Sequence, residues 1–253
     1  MARRPLILLL KLCVLGLIST KAHGQVAAAR AIAGQTRSSP KILLIGDSLT
    51  VGPFGAEWHD LLVRTYGHRS VAVYGSCGSS PEHWLGGQPR FISHCGYREQ
   101  TPQTERVFEN GGHRRPPPIA TPDLHEIVRR FRPTVVIVQL GTNWMDDLVN
   151  GLKDKEPEYR SILDRFIQAV RSEPEVSRVI WIMPPDSSRF SVHTQKIVQK
   201  LILDAADRYR FTTVNSRAVT RYVPGKTGDD GVHYNLAAGT EWADRIWRLL
   251  RPR

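Results

Sequence analysis

The chain has 253 residues, a length that one α/β domain can fill. Hydrophobic residues make up 41% and charged residues 23%, which indicates a packed globular core and excludes an intrinsically disordered chain. The formal net charge is +11, yet no nucleic-acid-binding motif or concentrated basic helix accompanies it, so we expect no nucleic-acid partner.

The first 24 residues have the pattern of a secretory signal peptide. Arg3 and Arg4 precede an apolar run over 6–18, and the small-x-small segment Ala22-His23-Gly24 follows. The run is too short and too interrupted for a convincing membrane span. An uncleaved N-terminal anchor is the alternative. We therefore predict a signal peptide over 1–24, a flexible leader over 25–39 and a secreted or periplasmic domain over 40–253.

Cleavage of the signal peptide leaves a basic protein. It removes four basic residues and no acidic ones, so the net charge falls from +11 to about +7. A basic exported protein is expected to associate with anionic envelope polymers or acidic polysaccharide. The alternative is a solvated surface with no specific partner.

The predicted elements alternate between strands and helices from residue 41 onward. Five apolar runs are predicted as strands: Ile42–Ile45, Val71–Tyr74, Thr134–Gln139, Val179–Met183 and Thr212–Val214. Helical periodicity lies around 162–170, 197–205 and 236–250, and Thr121-Pro122-Asp123 is predicted to open a helix that runs to about Arg132. Such βα units predict an α/β/α sandwich around a five-stranded parallel sheet.

An irregular insertion over about 75–118 interrupts this alternation. It contains Cys77 and Cys95, the two cysteines that remain after signal cleavage. An oxidising compartment favours a disulfide between them, worth roughly 3 kcal/mol in the chain-entropy model. A zinc site that also uses His83 and His94 is the weaker alternative, because adjacent His94 and Cys95 would struggle to reach one tetrahedral ion.

Four short motifs stand at the ends of predicted strands or just before the last helix: Gly46-Asp47-Ser48-Leu49, the glycine segment 75–78, Gly141-Thr142-Asn143 and Asp230-Gly231-Val232-His233. Parallel strands bring their carboxyl ends together at one end of the sheet, where ligands bind. A serine becomes a good nucleophile when a histidine takes its proton and a carboxylate orients that histidine.

This ordered set resembles the SGNH hydrolases, the GDSL-type esterase superfamily, and in particular its secreted bacterial carbohydrate esterases. The resemblance implies a flavodoxin-like strand order, Ser48 as nucleophile, His233 as general base and Asp230 as its orienting carboxylate. It also implies an oxyanion hole made by the backbone N–H groups of Ser48 and Gly78 and the side chain of Asn143. Gly75 is the alternative to Gly78. The reaction needs neither a metal nor an organic cofactor.

The predicted function is hydrolysis of short-chain esters, O-acetyl groups above all, on a polysaccharide or small molecule. Trp84 and Trp144 flank the predicted site and are candidates for stacking on a sugar ring, with core packing as the alternative. A lipase or lysophospholipase, an O-acyltransferase and a catalytically silent carbohydrate-binding protein are the competing hypotheses.

Overall fold

The computed structural model describes residues 39–109, 116–149 and 155–251. The predicted signal peptide over 1–24, and the predicted leader up to residue 38, lie outside the described residues. Among the residues that are described, no helix is both long and apolar enough to cross a membrane.

A mostly parallel sheet forms the centre of the described part of the chain. Its strands are β1 (Ile42–Gly46), β2 (Val71–Ser76), β4 (Tyr97–Gln100), β5 (Glu105–Phe108), β7 (Val135–Gln139), β8 (Arg178–Ile182) and β9 (Thr212–Val214). The spatial order is β5-β4-β2-β1-β7-β8-β9. A separate two-stranded sheet pairs β3 (Ile92–Ser93) with β6 (Ile119–Ala120).

The five predicted strands are present and parallel, in the predicted flavodoxin-like order. The predicted strand count is too low, because the insertion adds β4 and β5 as an antiparallel hairpin beside β2. This hairpin was not predicted from the sequence, because it has polar residues at positions where a buried strand usually has apolar ones. Arg98, Glu99 and Gln100 are all largely buried in β4.

Helices cover both faces of the sheet. They are α1 (Ser48–Val51), α2 (Pro53–Tyr66), α3 (Leu124–Phe131), α4 (Thr142–Val149), α5 (Glu156–Val170), α6 (Val192–Tyr209) and α7 (Leu236–Leu250). One buried apolar cluster joins the sheet to α2 and α7, and a second joins its other face to α3, α4, α5 and α6. The predicted three-layer α/β/α sandwich is therefore confirmed.

The helix ends follow local capping chemistry. Asn235 accepts a hydrogen bond from the backbone of Ala238, as its position before α7 predicts. The helix predicted to open at Thr121 begins instead at Leu124, because the Asp123 side chain accepts from the backbone N–H of His125 and caps the first turn. The helix α2, over 53–66, was not predicted from the sequence.

Candidate active site

The first site element is the turn that links β1 to α1. Asp47 caps α1 by accepting a hydrogen bond from the backbone N–H of Leu49 at 3.0 Å. Ser48 is the first residue of α1, so its own N–H has no intrahelical acceptor. The hydroxyl of Thr50 donates to Gln139 Oε1 at 2.9 Å, which ties the turn to the end of β7. The turn therefore presents Ser48 at the carboxyl ends of the parallel strands.

Ser48, His233 and Asp230 form a continuous hydrogen-bonded chain. Ser48 Oγ lies 2.8 Å from His233 Nε2, and His233 Nδ1 lies 2.5 Å from Asp230 Oδ2. Residues 185 positions apart in sequence thus meet with the geometry of a nucleophile, a base and an orienting carboxylate.

The carboxylate of Asp230 is held in its ionised form. Partial burial acts to raise its pKa, but hydrogen bonds from the His233 side chain and from the backbone N–H groups of Val232 and His233 outweigh burial and lower the pKa to about 2. The two backbone bonds reach Oδ1 at 2.9 and 2.8 Å. Asp230 is therefore ionised at any pH near neutrality.

The loop that carries Asp230 and His233 is braced by residues that sequence analysis did not identify. The hydroxyl of Tyr222 accepts from the backbone N–H of Gly231 at 3.0 Å and donates to the carbonyl of His233 at 3.2 Å. The hydroxyl of Ser187 donates to the carbonyl of Gly231 at 2.5 Å. These hydrogen bonds hold the loop in place. They could not be predicted from the sequence, because they join residues whose positions in the chain follow no motif.

Gly78 adopts a conformation that a side chain would disfavour. Its φ is +81°, and a Cβ there would meet Phe91 at 3.3 Å. Within the described part of the chain its N–H makes no backbone hydrogen bond, whereas the N–H groups of Cys77 and Ser79 both do. Gly75, the alternative, lies inside β2 and pairs with Arg98. Gly78 is therefore the better placed of the two to offer a free donor.

Asn143 lies in the first turn of α4, which follows β7. Its Nδ2 donates to the carbonyl of Ser79 at 2.7 Å, next to Gly78 in the chain. This bond leaves the second N–H of the amide available and links the β2 and β7 loops.

Cys77 and Cys95 form a disulfide. Both sulfurs are used in this bond, so neither is available to ligate zinc with His83 and His94. The disulfide joins the residue before Gly78 to the segment that leads into β4. The start of the insertion, which carries Gly78, is thus covalently joined to the segment just before β4.

Asp47 differs from Asp230 in its surroundings. Its side chain is fully buried, and this burial raises its pKa to about 6 despite hydrogen bonding from the Leu49 backbone. The Thr142 and Gln139 side chains act on the carboxyl, but Oδ2 has no well-formed hydrogen bond. Asp47 thus caps the turn that carries Ser48, although burial disfavours the charged form of its carboxylate.

A cavity of about 460 Å³ opens beside Ser48 and His233. Much of its wall is apolar, and it is built by Leu49, Val51, Pro53, Phe54, Trp242 and the disulfide. Glu109 contributes a carboxylate that is half exposed and lies 2.6 Å from Arg98 Nη2. Sequence analysis did not identify this cavity, since α1, α2, α7 and the insertion build it together.

Trp84 and Trp144 are both fully buried. Trp84 Nε1 donates to Ser79 Oγ at 3.0 Å, and Trp144 Nε1 donates to Glu82 Oε2 at the same distance. Neither ring is accessible to a sugar. The prediction that they stack on a sugar is therefore wrong, and both pack in the core.

Comparisons with known proteins agree with this architecture. A family model described as GDSL-like lipase/acylhydrolase matches residues 42–246. No curated protein gives a significant sequence match.

Several solved structures have a similar fold. A variant of Axe2, an acetyl xylan esterase from Geobacillus stearothermophilus, is 15% identical with a TM-score of 0.51, over 84% of this chain and 95% of that chain. TesA is 16% identical with a TM-score of 0.53, over 83% and 97%. A peptidoglycan O-acetylesterase is 12% identical with a TM-score of 0.53, over 90% and 95%. At these identities the likeness is one of fold.

Proposed function

The chain belongs to the GDSL-like lipase/acylhydrolase family and is an ester-hydrolysing enzyme, and we propose that it is a serine esterase acting through Ser48, His233 and Asp230. The observation that carries the proposal is the pair of contacts from His233, 2.8 Å to Ser48 Oγ and 2.5 Å to Asp230 Oδ2. We propose further that it is exported and removes short acyl groups, O-acetyl groups above all, from a cell-envelope or extracellular polysaccharide.

The first half of the reaction acylates the serine. Ser48 Oγ attacks the ester carbonyl carbon while His233 Nε2 takes the hydroxyl proton. The carbonyl oxygen becomes an oxyanion, for which the backbone N–H groups of Ser48 and Gly78 and the amide of Asn143 are the proposed donors. Collapse of the tetrahedral intermediate breaks the bond to the alcohol, which leaves with the proton from His233.

The second half releases the acyl group. His233 Nε2 takes a proton from a water molecule, whose oxygen attacks the acyl carbon of the Ser48 ester. The same donors stabilise the second oxyanion, and Ser48 recovers its proton from His233 as the carboxylic acid departs. Asp230 stays ionised throughout and stabilises the imidazolium that forms in each half.

Three observations support the polysaccharide substrate. The sequence begins with a signal-peptide pattern, the chain is basic, and structural neighbours include an acetyl xylan esterase and a peptidoglycan O-acetylesterase. Trp84 and Trp144 do not support a sugar-binding surface beside Ser48, because both are buried.

One observation favours a second candidate, a lipase or other esterase of longer acyl chains. The cavity beside Ser48 is walled largely by apolar side chains, including Val51, Phe54 and Trp242. Such a wall suits an alkyl chain better than a sugar. The two candidates differ in how activity depends on acyl length.

Hydrolysis of p-nitrophenyl acetate tests the catalytic proposal. We expect activity in wild type and in Ser172→Ala, an exposed serine outside the site, but none above background in Ser48→Ala. Equal activity in Ser48→Ala and wild type would disprove the role of the serine.

A series of p-nitrophenyl esters then separates the substrate classes. The acetylesterase proposal requires the highest kcat/KM for acetate, together with acetate release from acetylated xylan or peptidoglycan. A preference for chains of about eight carbons or more would establish the lipase candidate instead.

A further inference from the structure

A second cavity, of about 280 Å³, lies at the opposite end of the parallel strands from Ser48. Lys41 precedes β1 and Arg69 precedes β2, so both lie at amino ends, whereas Ser48 follows the carboxyl end of β1. The turn over 101–104 also reaches this end, because β4 runs antiparallel to β2. The lining includes Lys41, Arg69, Tyr74, Arg130, Phe131 and the 101–104 turn.

Three cationic side chains line this cavity, and none of the described residues that line it carries a carboxylate. The Arg69 side chain makes no ion pair or hydrogen bond within the described part of the chain. Glu99 acts on Arg130 electrostatically, but it lies outside the lining and is 3.4 Å from Arg106. Three positive charges around one concave surface, with no carboxylate in its lining, favour an anionic occupant.

Two of the cations are held in place by the fold. Arg130 Nη2 donates to the hydroxyl of Tyr74 at 2.8 Å. Lys41 Nζ donates to the carbonyl of Phe131 at 3.0 Å and lies 5.2 Å from the centre of its ring. Each contact uses one N–H and leaves the others free to bind a ligand. Burial raises the pKa of Tyr74, so its hydroxyl stays protonated.

The rest of the lining suits a sugar. The lining also includes Thr101, Gln103 and Thr104, whose neutral polar side chains are of the kind that bonds sugar hydroxyls. The Thr101 hydroxyl already accepts from the backbone N–H groups of Gln103 and Thr104 and keeps its own O–H to donate. A guanidinium group binds a carboxylate through two parallel N–H bonds. Cationic groups beside neutral polar groups match the carboxylate and the hydroxyl groups of a carboxylated sugar.

We propose that this cavity is a non-catalytic binding site for the carboxylate-bearing sugar of an acidic polysaccharide. It would give a specific position to the anionic polymer that was one of the two alternatives suggested by the net charge. A polymer held there would raise the local concentration of its own ester groups around Ser48. The binding itself does not depend on the proposed esterase activity.

Titration calorimetry with tetragalacturonate at low ionic strength tests the proposal on the whole protein. We expect wild type and Ser48→Ala to bind equally, and Arg69→Gln and Arg130→Gln to bind about tenfold more weakly, or about 1.4 kcal/mol each. Arg129→Gln is the matched control, because Arg129 is exposed and adjacent to Arg130 but does not line the cavity. The control should bind like wild type.

The outcomes separate the proposal from its alternatives. An equal loss in Arg129→Gln, or no binding to wild type, would overturn it, and tighter binding of a glycerol phosphate oligomer would overturn the carboxylate assignment. If Arg130→Gln does not fold, Arg69→Gln decides the result alone, since the exposed Arg69 side chain makes no hydrogen bond or ion pair with the described residues. Hydrolysis of p-nitrophenyl acetate should be unchanged in Arg69→Gln, and failure of the esterase proposal would leave the binding result intact.

Discussion

The guanidinium of Arg98 donates to the carbonyl oxygen of Val51 through both Nε and Nη2, at 3.0 and 2.7 Å. Val51 is the last residue of α1, the helix that begins at Ser48, so its carbonyl has no intrahelical donor. Arg98 is only 2% exposed, and its other contacts are with Gln100 and Glu109. The inserted hairpin therefore holds the C-terminal end of the nucleophile helix.

Replacing Arg98 should weaken both stability and catalysis. Arg98→Met leaves the buried Val51 carbonyl without a donor, which costs about 1–3 kcal/mol of unfolding free energy. We expect the displaced α1 to lower kcat by about tenfold with a smaller change in KM, since small misplacements of reacting groups are expensive. Urea unfolding and steady-state hydrolysis of p-nitrophenyl acetate measure the two effects.

Arg106→Met is the matched control for Arg98. Arg106 lies on the same hairpin and pairs with Glu99, but its side chain is half exposed and, among the described residues, it has no hydrogen bond to α1. Its replacement should change stability by less than about 1 kcal/mol. Equal losses of kcat in the two variants would contradict a specific role for the Arg98–Val51 contact.

Asn143→Ala tests the proposed oxyanion hole. Loss of one donor should reduce kcat by about 10²–10³-fold, because the donor acts on charge that develops only in the transition state. KM should change little. The measurement is steady-state kinetics on a short-chain ester, and a variant that changes KM alone would assign Asn143 to substrate binding.

The buried carboxyl of Asp47 predicts an unusual dependence of stability on pH. Its pKa is about 6 in the folded protein, against 3.8 for the free group. Between these values the folded state binds more protons than the unfolded state, so the unfolding free energy falls as pH rises and levels off above about pH 6. The unfolding free energy therefore falls by about 3 kcal/mol across this pH range.

Asp47→Asn isolates this effect because asparagine does not titrate. The stability of the variant relative to wild type should rise by about 3 kcal/mol between pH 3.5 and pH 7. Urea unfolding at several pH values gives the difference. A difference that stays constant with pH would show that Asp47 does not titrate in this range.

The disulfide should stabilise the insertion. Its cysteines are 18 positions apart, and closure of a loop of this size is worth about 3 kcal/mol in the chain-entropy model. The double variant Cys77→Ser/Cys95→Ser should lose that stability and some activity, since Cys77 precedes Gly78. Thermal unfolding with and without reductant provides the check. Unchanged stability under reductant would contradict the prediction.

The sequence allowed the parallel strands and the candidate triad to be predicted for identifiable reasons, whereas the strand order was implied by the family resemblance. Parallel strands covered on both faces are continuous apolar runs, as in β1 and β7, and their carboxyl ends converge. Ser48 and His233 follow from short motifs placed at that end. The hairpin β4–β5 could not be predicted in this way, because its buried side chains are polar, and Arg98 among them donates to the carbonyl of Val51, 47 positions away in the sequence.

Hydrophobic periodicity and local motifs depend on neighbouring residues, so they were enough to predict the layered fold, the resemblance to the family and the candidate catalytic residues. The groups that surround the candidate catalytic residues, and those that line the cavities, depend on the tertiary structure. It buried Trp84 and Trp144, placed Arg98 on Val51, and gathered Lys41, Arg69 and Arg130 around one cavity. Such contacts join segments far apart in the chain, so hydrogen-bond satisfaction and charge balance emerge only once the chain has folded.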